Sequence, residues 1–253
     1  MDSGSGGTGA TNRLLSALPE TQRWRLMGAL RPVLLEPKTV LFEPGQTIDV
    51  VDFPRTCVIS LVAPLHDGRI VEVASVGNEG IVGVPVVLRG SLAVRAICSV
   101  GGWIDRMQAT TFTHEIENDV DLHDVVDDYL RAVFSQLSQA VACNRLHSTP
   151  ERLARWLLAS ADRLGTDRLP ITHEFLGQLL GASQADVSRS AHNLQAVGLI
   201  SYRRGRFTIL DRSGLEAVAC ECYAVIKAEL DGVIRRAVIH VRGRGTRTPA
   251  RRD

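Results

Sequence analysis

Between Ile171 and Ile200 the chain reads Ile-Thr-His-Glu-Phe-Leu-Gly-Gln-Leu-Leu-Gly-Ala-Ser-Gln-Ala-Asp-Val-Ser-Arg-Ser-Ala-His-Asn-Leu-Gln-Ala-Val-Gly-Leu-Ile, and few local folds accommodate that run. Phe175, Leu176, Leu179 and Leu180 recur at helical spacing behind Thr172, whose hydroxyl can accept a free backbone N–H at a helix start. Gly181 ends that helix, because glycine enters the left-handed conformation without a Cβ penalty. Ser183 then offers a second N-cap, and Val187, Ala191 and Leu194 form the inner stripe of a second helix. The pattern predicts a helix-turn-helix whose second helix turns Gln184, Ala185, Ser188, Arg189 and His192 outward. Short polar side chains with one arginine suit the floor of a DNA major groove.

Spacing alone also fits an ordinary helical hairpin inside a larger domain. The following residues favour DNA. Ser201 to Leu210 alternate around a Gly turn, which predicts a β-hairpin with Arg203, Arg204 and Arg206 crowding its tip. Arginines at such a wing meet phosphates. We therefore expect Gln184, Ser188 and Arg189 to read bases, and Thr172, Ser183, Arg203, Arg204 and Arg206 to contact the DNA backbone.

A length of 253 residues allows two domains, and a net charge of +1 excludes a wholly basic coat while leaving room for local patches. Residues 1–12 are rich in Gly, Ser and Thr and are expected to be a disordered tail rather than a signal peptide. No run approaches the length of a membrane span, so a cytoplasmic protein is expected. The five cysteines, at 57, 98, 143, 220 and 222, fit reduced thiols. Cys220-Glu221-Cys222 is the closest pair, but no second pair stands nearby, so no metal site is expected.

From Asn12 to about Leu30 the spacing predicts an amphipathic helical segment. Short β-type runs follow at Val33–Leu35, Val40–Phe42, Cys57–Val62, Ile70–Ala74 and Ala93–Ile97, separated by turn-forming clusters, which suggests a compact β-roll over 13–113. Over 114–147 the period becomes helical. Leu122, Val126, Tyr129, Val133, Leu137 and Val141 make one stripe, as in a paired dimerisation helix, although a helix buried on its own domain has the same pattern. Ser148-Thr149-Pro150-Glu151 is a capping box that opens a DNA-binding domain over 148–212. A Ser213–Glu216 cap is expected to start one further amphipathic helix, and Arg235–Asp253 a solvated basic tail, within 213–253.

This order of parts resembles the Crp/Fnr family of transcription regulators over about residues 13–240. The most specific piece is Ile171 to Ile200 with its wing; a second is Val76-Gly77-Asn78-Glu79-Gly80-Ile81-Val82-Gly83-Val84-Pro85. The resemblance implies an α+β chain: an N-terminal cyclic-nucleotide-binding-like jelly roll, a long dimerisation helix and a C-terminal winged helix-turn-helix. It implies a bacterial, non-enzymatic homodimer on an inverted repeat of double-stranded DNA, with RNA polymerase as a protein partner. Members that bind cyclic AMP carry a Gly-Glu pair and an Arg-Ser pair; here Gly83-Val84 and Gly90-Ser91 stand in their places. Without that arginine a cyclic phosphate lacks its bidentate partner. Arg89 and Arg95 lie near, but an arginine shifted by one position in a strand faces the other side. The effector pocket of Gly83, Val84, Gly90, Ser91 and Arg95 is thus degenerate; cyclic AMP is not the expected effector, no cofactor is expected, and the effector is unknown.

An N-terminal iron–sulfur cluster is not expected, since residues 1–32 hold no cysteine. His66 and Cys57 are not expected to ligate haem. Gly181–Ala185 superficially matches a Gly-x-Ser-x-Gly nucleophile elbow, which needs a preceding strand where a helix is predicted here. The competing reading is a sensor or adaptor module that has lost DNA binding and acts through protein contacts.

Overall fold

Asn12 anchors the start of the chain. In the computed structural model, which describes residues 11–244, its side chain caps α1 (Arg13–Ala17) and donates to the carbonyls of Pro54 and Gly80 at 3.0 and 2.8 Å. Of the tail expected to be disordered over 1–12, residues 1–10 lie outside the described residues, whereas Asn12 is a buried cap; the end of the basic tail, 245–253, also lies outside them. The segment expected to be one helix to Leu30 is two, α1 and α2 (Glu20–Ala29). Pro19 disfavours helical backbone at Leu18, which is extended.

Two antiparallel sheets follow. One has the order β1 (Arg31–Leu35), β7 (Gly102–Gln108), β3 (Val50–Pro54); the other β2 (Val40–Phe42), β6 (Arg95–Val100), β4 (Val58–Pro64), β5 (Ile70–Val76). β3 and β7 had no clear signal in the sequence because charges interrupt their apolar alternation. The structure shows why those charges are tolerated: Asp52 stands opposite Arg106, which donates to it at 2.7 and 2.8 Å. The short α3 (Val84–Val87) lies between β5 and β6.

The expected single helix over 114–147 is α4 (Ala109–Asn118) and α5 (Val120–Leu146), parted at Asp119, whose carboxylate accepts from Leu122 N at 3.1 Å. The apolar stripe expected to face a second subunit is largely used within the chain. Leu122, Val126, Tyr129 and Val133 are buried in a core shared with Val51, Phe53 and Ile81 of the roll and with Ile226, Leu230 and Val233 of the last helix. Val141, by contrast, is 74% exposed. Phe134 is 72% exposed on the same helix.

Ser148 and Glu151 close the predicted capping box at the start of α6 (Thr149–Leu164). Then come β8 (Arg168–Pro170), α7 (His173–Leu180), α8 (Gln184–Ala196), β9 (Ile200–Arg203) and β10 (Arg206–Ile209), with the strands in the order β8, β10, β9. After the wing the expected helix is again two, α9 (Arg212–Val218) and α10 (Cys222–Arg244). Asp211, not Ser213, caps the first, accepting from Gly214 N at 3.0 Å. Arg235 to Arg244, expected as tail, continue α10.

The roll and the C-terminal elements share one core. Val58, Val62, Ile97 and Val100 pack with Leu153, Trp156 and Leu157. Polar links cross the same boundary: Trp156 Nε1 donates to Glu72 at 3.2 Å, and Arg163, 5% exposed, pairs with the buried Glu79 at 2.8 Å. Among the described residues no helix is long and apolar enough to cross a membrane.

Candidate nucleic-acid interface

α7 and α8 meet through a turn that sequence dictates locally. Thr172 caps α7 by accepting from Phe175 N at 3.2 Å, and Phe175, Leu176, Leu179 and Leu180 are all buried. Gly181 ends it at φ 59°, in the left-handed region. Ser183 then caps α8, accepting from Asp186 N at 3.0 Å, and Val187, Ala191 and Leu194 are buried as their spacing predicts.

Gln184, Ala185, Arg189 and His192 are exposed on the opposite face. The Arg189 side chain is 71% exposed and has Asp186 one turn earlier at 3.4 Å. Ser188, expected beside it as a base reader, is half-buried, and its hydroxyl lies 2.9 Å from His173 Nδ1. Ser183 is exposed, with its hydroxyl donating to the Asp186 carboxylate at 2.7 Å.

The wing is a two-residue hairpin. Arg203 pairs with Arg206 across it, and Arg204 and Gly205 both take positive φ, 50° and 74°, as a type I′ turn requires. All three arginines are exposed. The fold brings this tip to Thr172: a Cβ on Gly205 would lie 3.8 Å from Thr172 Cγ2. Spacing did not reveal what holds wing and helices together. His173 stacks on Tyr202 with ring centroids 3.8 Å apart, and Phe207 packs beside both. Burial pushes the His173 imidazole below its ordinary value, and its Nε2 is buried without a hydrogen-bond partner among the described residues. A single histidine after a helix cap carries no signal for that stack.

The residues expected at the effector pocket fall on different local structures. Gly83 and the buried Val84 open α3 against Val51, Gly90 and Ser91 lie in an exposed turn, and Arg95 is paired with Glu43 at 2.8 Å. Arg89 pairs with Glu117 at 2.6 Å. A cleft of about 280 Å³ does open nearby, but its walls are the α3–Arg89 segment, α4 and α5, including Val86, Ile116, His123 and Leu130.

Two helices on a glycine turn, an outward polar face and an arginine-tipped hairpin define a winged helix-turn-helix domain. Residues 151–218 match the Crp-like helix-turn-helix domain family. No curated protein is matched in sequence. Solved structures are similar over most of the chain. FixK2 from Bradyrhizobium japonicum is 14% identical with a TM-score of 0.64, over 76% of this chain and 98% of that one. A CRP/FNR-family transcriptional regulator of Thermus thermophilus is 16% identical with a TM-score of 0.57, over 75% and 98%. The c-di-GMP-responsive global regulator CLP of Xanthomonas campestris is 16% identical with a TM-score of 0.54, over 76% and 99%. At such identities the likeness is one of fold. The chain thus has the fold of the Crp/Fnr regulators, with a β-roll, a long helix and a winged helix-turn-helix, and carries a Crp-like helix-turn-helix domain.

Proposed function

We propose that the protein is a sequence-specific transcription regulator of the Crp/Fnr type that binds an inverted repeat as a homodimer, without gating by cyclic AMP. Support comes from the exposed Gln184 and Arg189 of α8 and three exposed wing arginines within one Crp-like domain. Arg189 has the fork that reaches guanine O6 and N7 together. Its contact with Asp186 is solvent-exposed and only 3.4 Å, so it yields readily to a base edge. Ser188 is a weaker reader than its spacing suggested, since it is half-buried and its hydroxyl already shares a hydrogen bond with His173. Thr172 and the wing arginines serve the phosphates, with Ser183 supplying the helix N-terminus.

Two subunits would meet on α5. Leu130, Phe134, Leu137 and Val141 follow one another at steps of four, three and four, the spacing of a coiled-coil seam, and the second and last are exposed. Independence from cyclic AMP is supported by Val84 and Gly90, which stand where the cyclic-AMP-binding members carry Glu and Arg, so a cyclic phosphate lacks its bidentate guanidinium. RNA polymerase is the protein partner proposed for it.

The test is selection of bound duplexes from a random pool by the purified protein with no added ligand. Enrichment of an inverted repeat containing a guanine in each half-site is expected. No enrichment would mean either that the roll must first be given its effector or that DNA binding has been lost, which is the adaptor that works through protein contacts.

A further inference from the structure

Cys220 and Cys222 lack a neighbouring ligand pair in sequence, but the fold supplies one. Cys143 and His147 sit four residues apart on the last turn of α5 and its cap, hence on one face. The break between α9 and α10 carries Cys220 and Cys222 to that face. One ligand atom from each of the four residues lies within 4.8 Å of all the others. Cys143 Sγ is 3.6 Å from Cys220 Sγ, and Cys222 Sγ is 3.6 Å from His147 Nδ1. A tetrahedral zinc site with metal–sulfur bonds of about 2.3 Å and a metal–nitrogen bond of about 2.0 Å has edges of roughly 3.5 to 3.8 Å. Two opposite edges therefore already have the right length.

From this geometry we infer that Cys143, His147, Cys220 and Cys222 form a Cys3His site for one zinc ion. All three sulfurs are buried, and His147 is half-buried. Their surroundings are those of a metal site. His147 turns Nε2 to the Glu221 carboxylate at 3.2 Å, which holds the ring in the tautomer that leaves Nδ1 free to ligate. Three thiolates, a neutral imidazole and Zn2+ sum to one negative charge. Arg155 places its positive charge against all three cysteines, and its buried Nε has no hydrogen-bond partner among the described residues. A zinc-bound thiolate is a fitting acceptor for that N–H. Gln139, 3.4 Å from Cys222, offers a second N–H donor once its side-chain amide is flipped.

The location gives the site a consequence. Cys143 and His147 immediately precede α6, and Cys220 and Cys222 immediately follow α9, so the ligand pairs bracket the whole winged helix-turn-helix domain. A metal here ties both chain connections of that domain to the end of α5.

The inference is tested on the full-length protein, purified reduced and metal-free, then titrated with Co2+ and Zn2+. We expect one Co2+ per chain, with sulfur-to-cobalt charge-transfer bands and the strong visible bands of tetrahedral cobalt, bleached by one equivalent of Zn2+. Glu221→Gln, at an exposed side chain, should keep the stoichiometry and weaken affinity about 10- to 100-fold. Cys220→Ser should lose the tetrahedral bands while circular dichroism reports the same helix content. Absence of tetrahedral bands from the folded, reduced wild type would overturn the site. So would bands unchanged in both Cys220→Ser and Cys143→Ser, or a Cys143–Cys220 disulfide as the sole chemistry of the cluster with no metal uptake after reduction. Metal uptake is read without DNA, so this result stands or falls separately from the proposed function.

Discussion

In the proposed interface, single substitutions distinguish base reading from backbone holding. Arg189→Ala should cost about 1 to 3 kcal/mol on the selected site and relax discrimination at one base pair per half-site, as measured by titration of single-base variants. A uniform loss over all duplexes would make Arg189 a phosphate contact instead. Arg204→Ala, at the wing tip, should weaken all duplexes alike and lower the salt slope by about one unit, because one fewer counterion is released. His173 adds a pH dependence. Its folded-state value lies below the ordinary 6.5, so the unfolded chain binds the proton more readily, and the stability it contributes is present above pH 6.5 and lost as the pH falls toward the folded value. Urea titrations between pH 7 and 5 should therefore show a steeper loss for the wild type than for His173→Phe, which keeps a ring on Tyr202; identical pH profiles would count against this. The outward face of α8 was legible because caps and apolar stripe set its rotation. The hydrogen bond that occupies Ser188 was not, since its partner comes from another helix.

At the scale of elements, helical periodicity located the helices more reliably than their breaks. The Ser-x-x-Glu pattern at Ser213 was a plausible cap, yet Asp211 reaches Gly214 N first and the helix begins earlier. Asp119 divides α4 from α5 in the same way. In α5 the expected stripe is buried from Leu122 to Val133, but Val141, expected on the same face, is exposed, because a long helix with two neighbours has more than one apolar face. Tyr129, whose hydroxyl donates to the Ile81 carbonyl at 3.0 Å, belongs to the face that holds the roll. The proposed subunit seam is the other face, with Phe134 and Val141. Phe134→Asp should turn a dimer into a monomer in sedimentation velocity while leaving the thermal transition of the subunit nearly unchanged, because the side chain makes little contact within its own chain. A dimer that survives both Phe134→Asp and Val141→Asp would place the interface elsewhere.

Across the whole molecule, the joint between the roll and the DNA-binding elements is a core with a buried ion pair in it. Arg163 reaches Glu79 at 2.8 Å, the Ser75 hydroxyl at 3.0 Å and the Ser75 carbonyl at 3.0 Å. Arg163→Met should destabilise the protein by about 3 to 5 kcal/mol in urea unfolding, because it strands the Glu79 charge in the core; adding Glu79→Gln should recover most of that loss. Additive losses in the double variant would show that the two side chains act independently.

By itself the sequence determined the elements whose signals are local. The two caps and the glycine turn of the helix-turn-helix, the arginine wing, the Ser148–Glu151 box and the short apolar runs of the roll each depend on residues a few positions apart, where backbone hydrogen bonds and side-chain periodicity act directly. Tertiary structure alone decided what distant residues do together. β3 and β7 pair through charges that look unfavourable until Asp52 meets Arg106. Arg95 meets Glu43, which lies more than fifty positions earlier in the chain. Cys143 and His147 join Cys220 and Cys222 across more than 70 intervening residues. No local pattern encodes such meetings, because they depend on where the packed helices and strands leave each side chain once the core has closed.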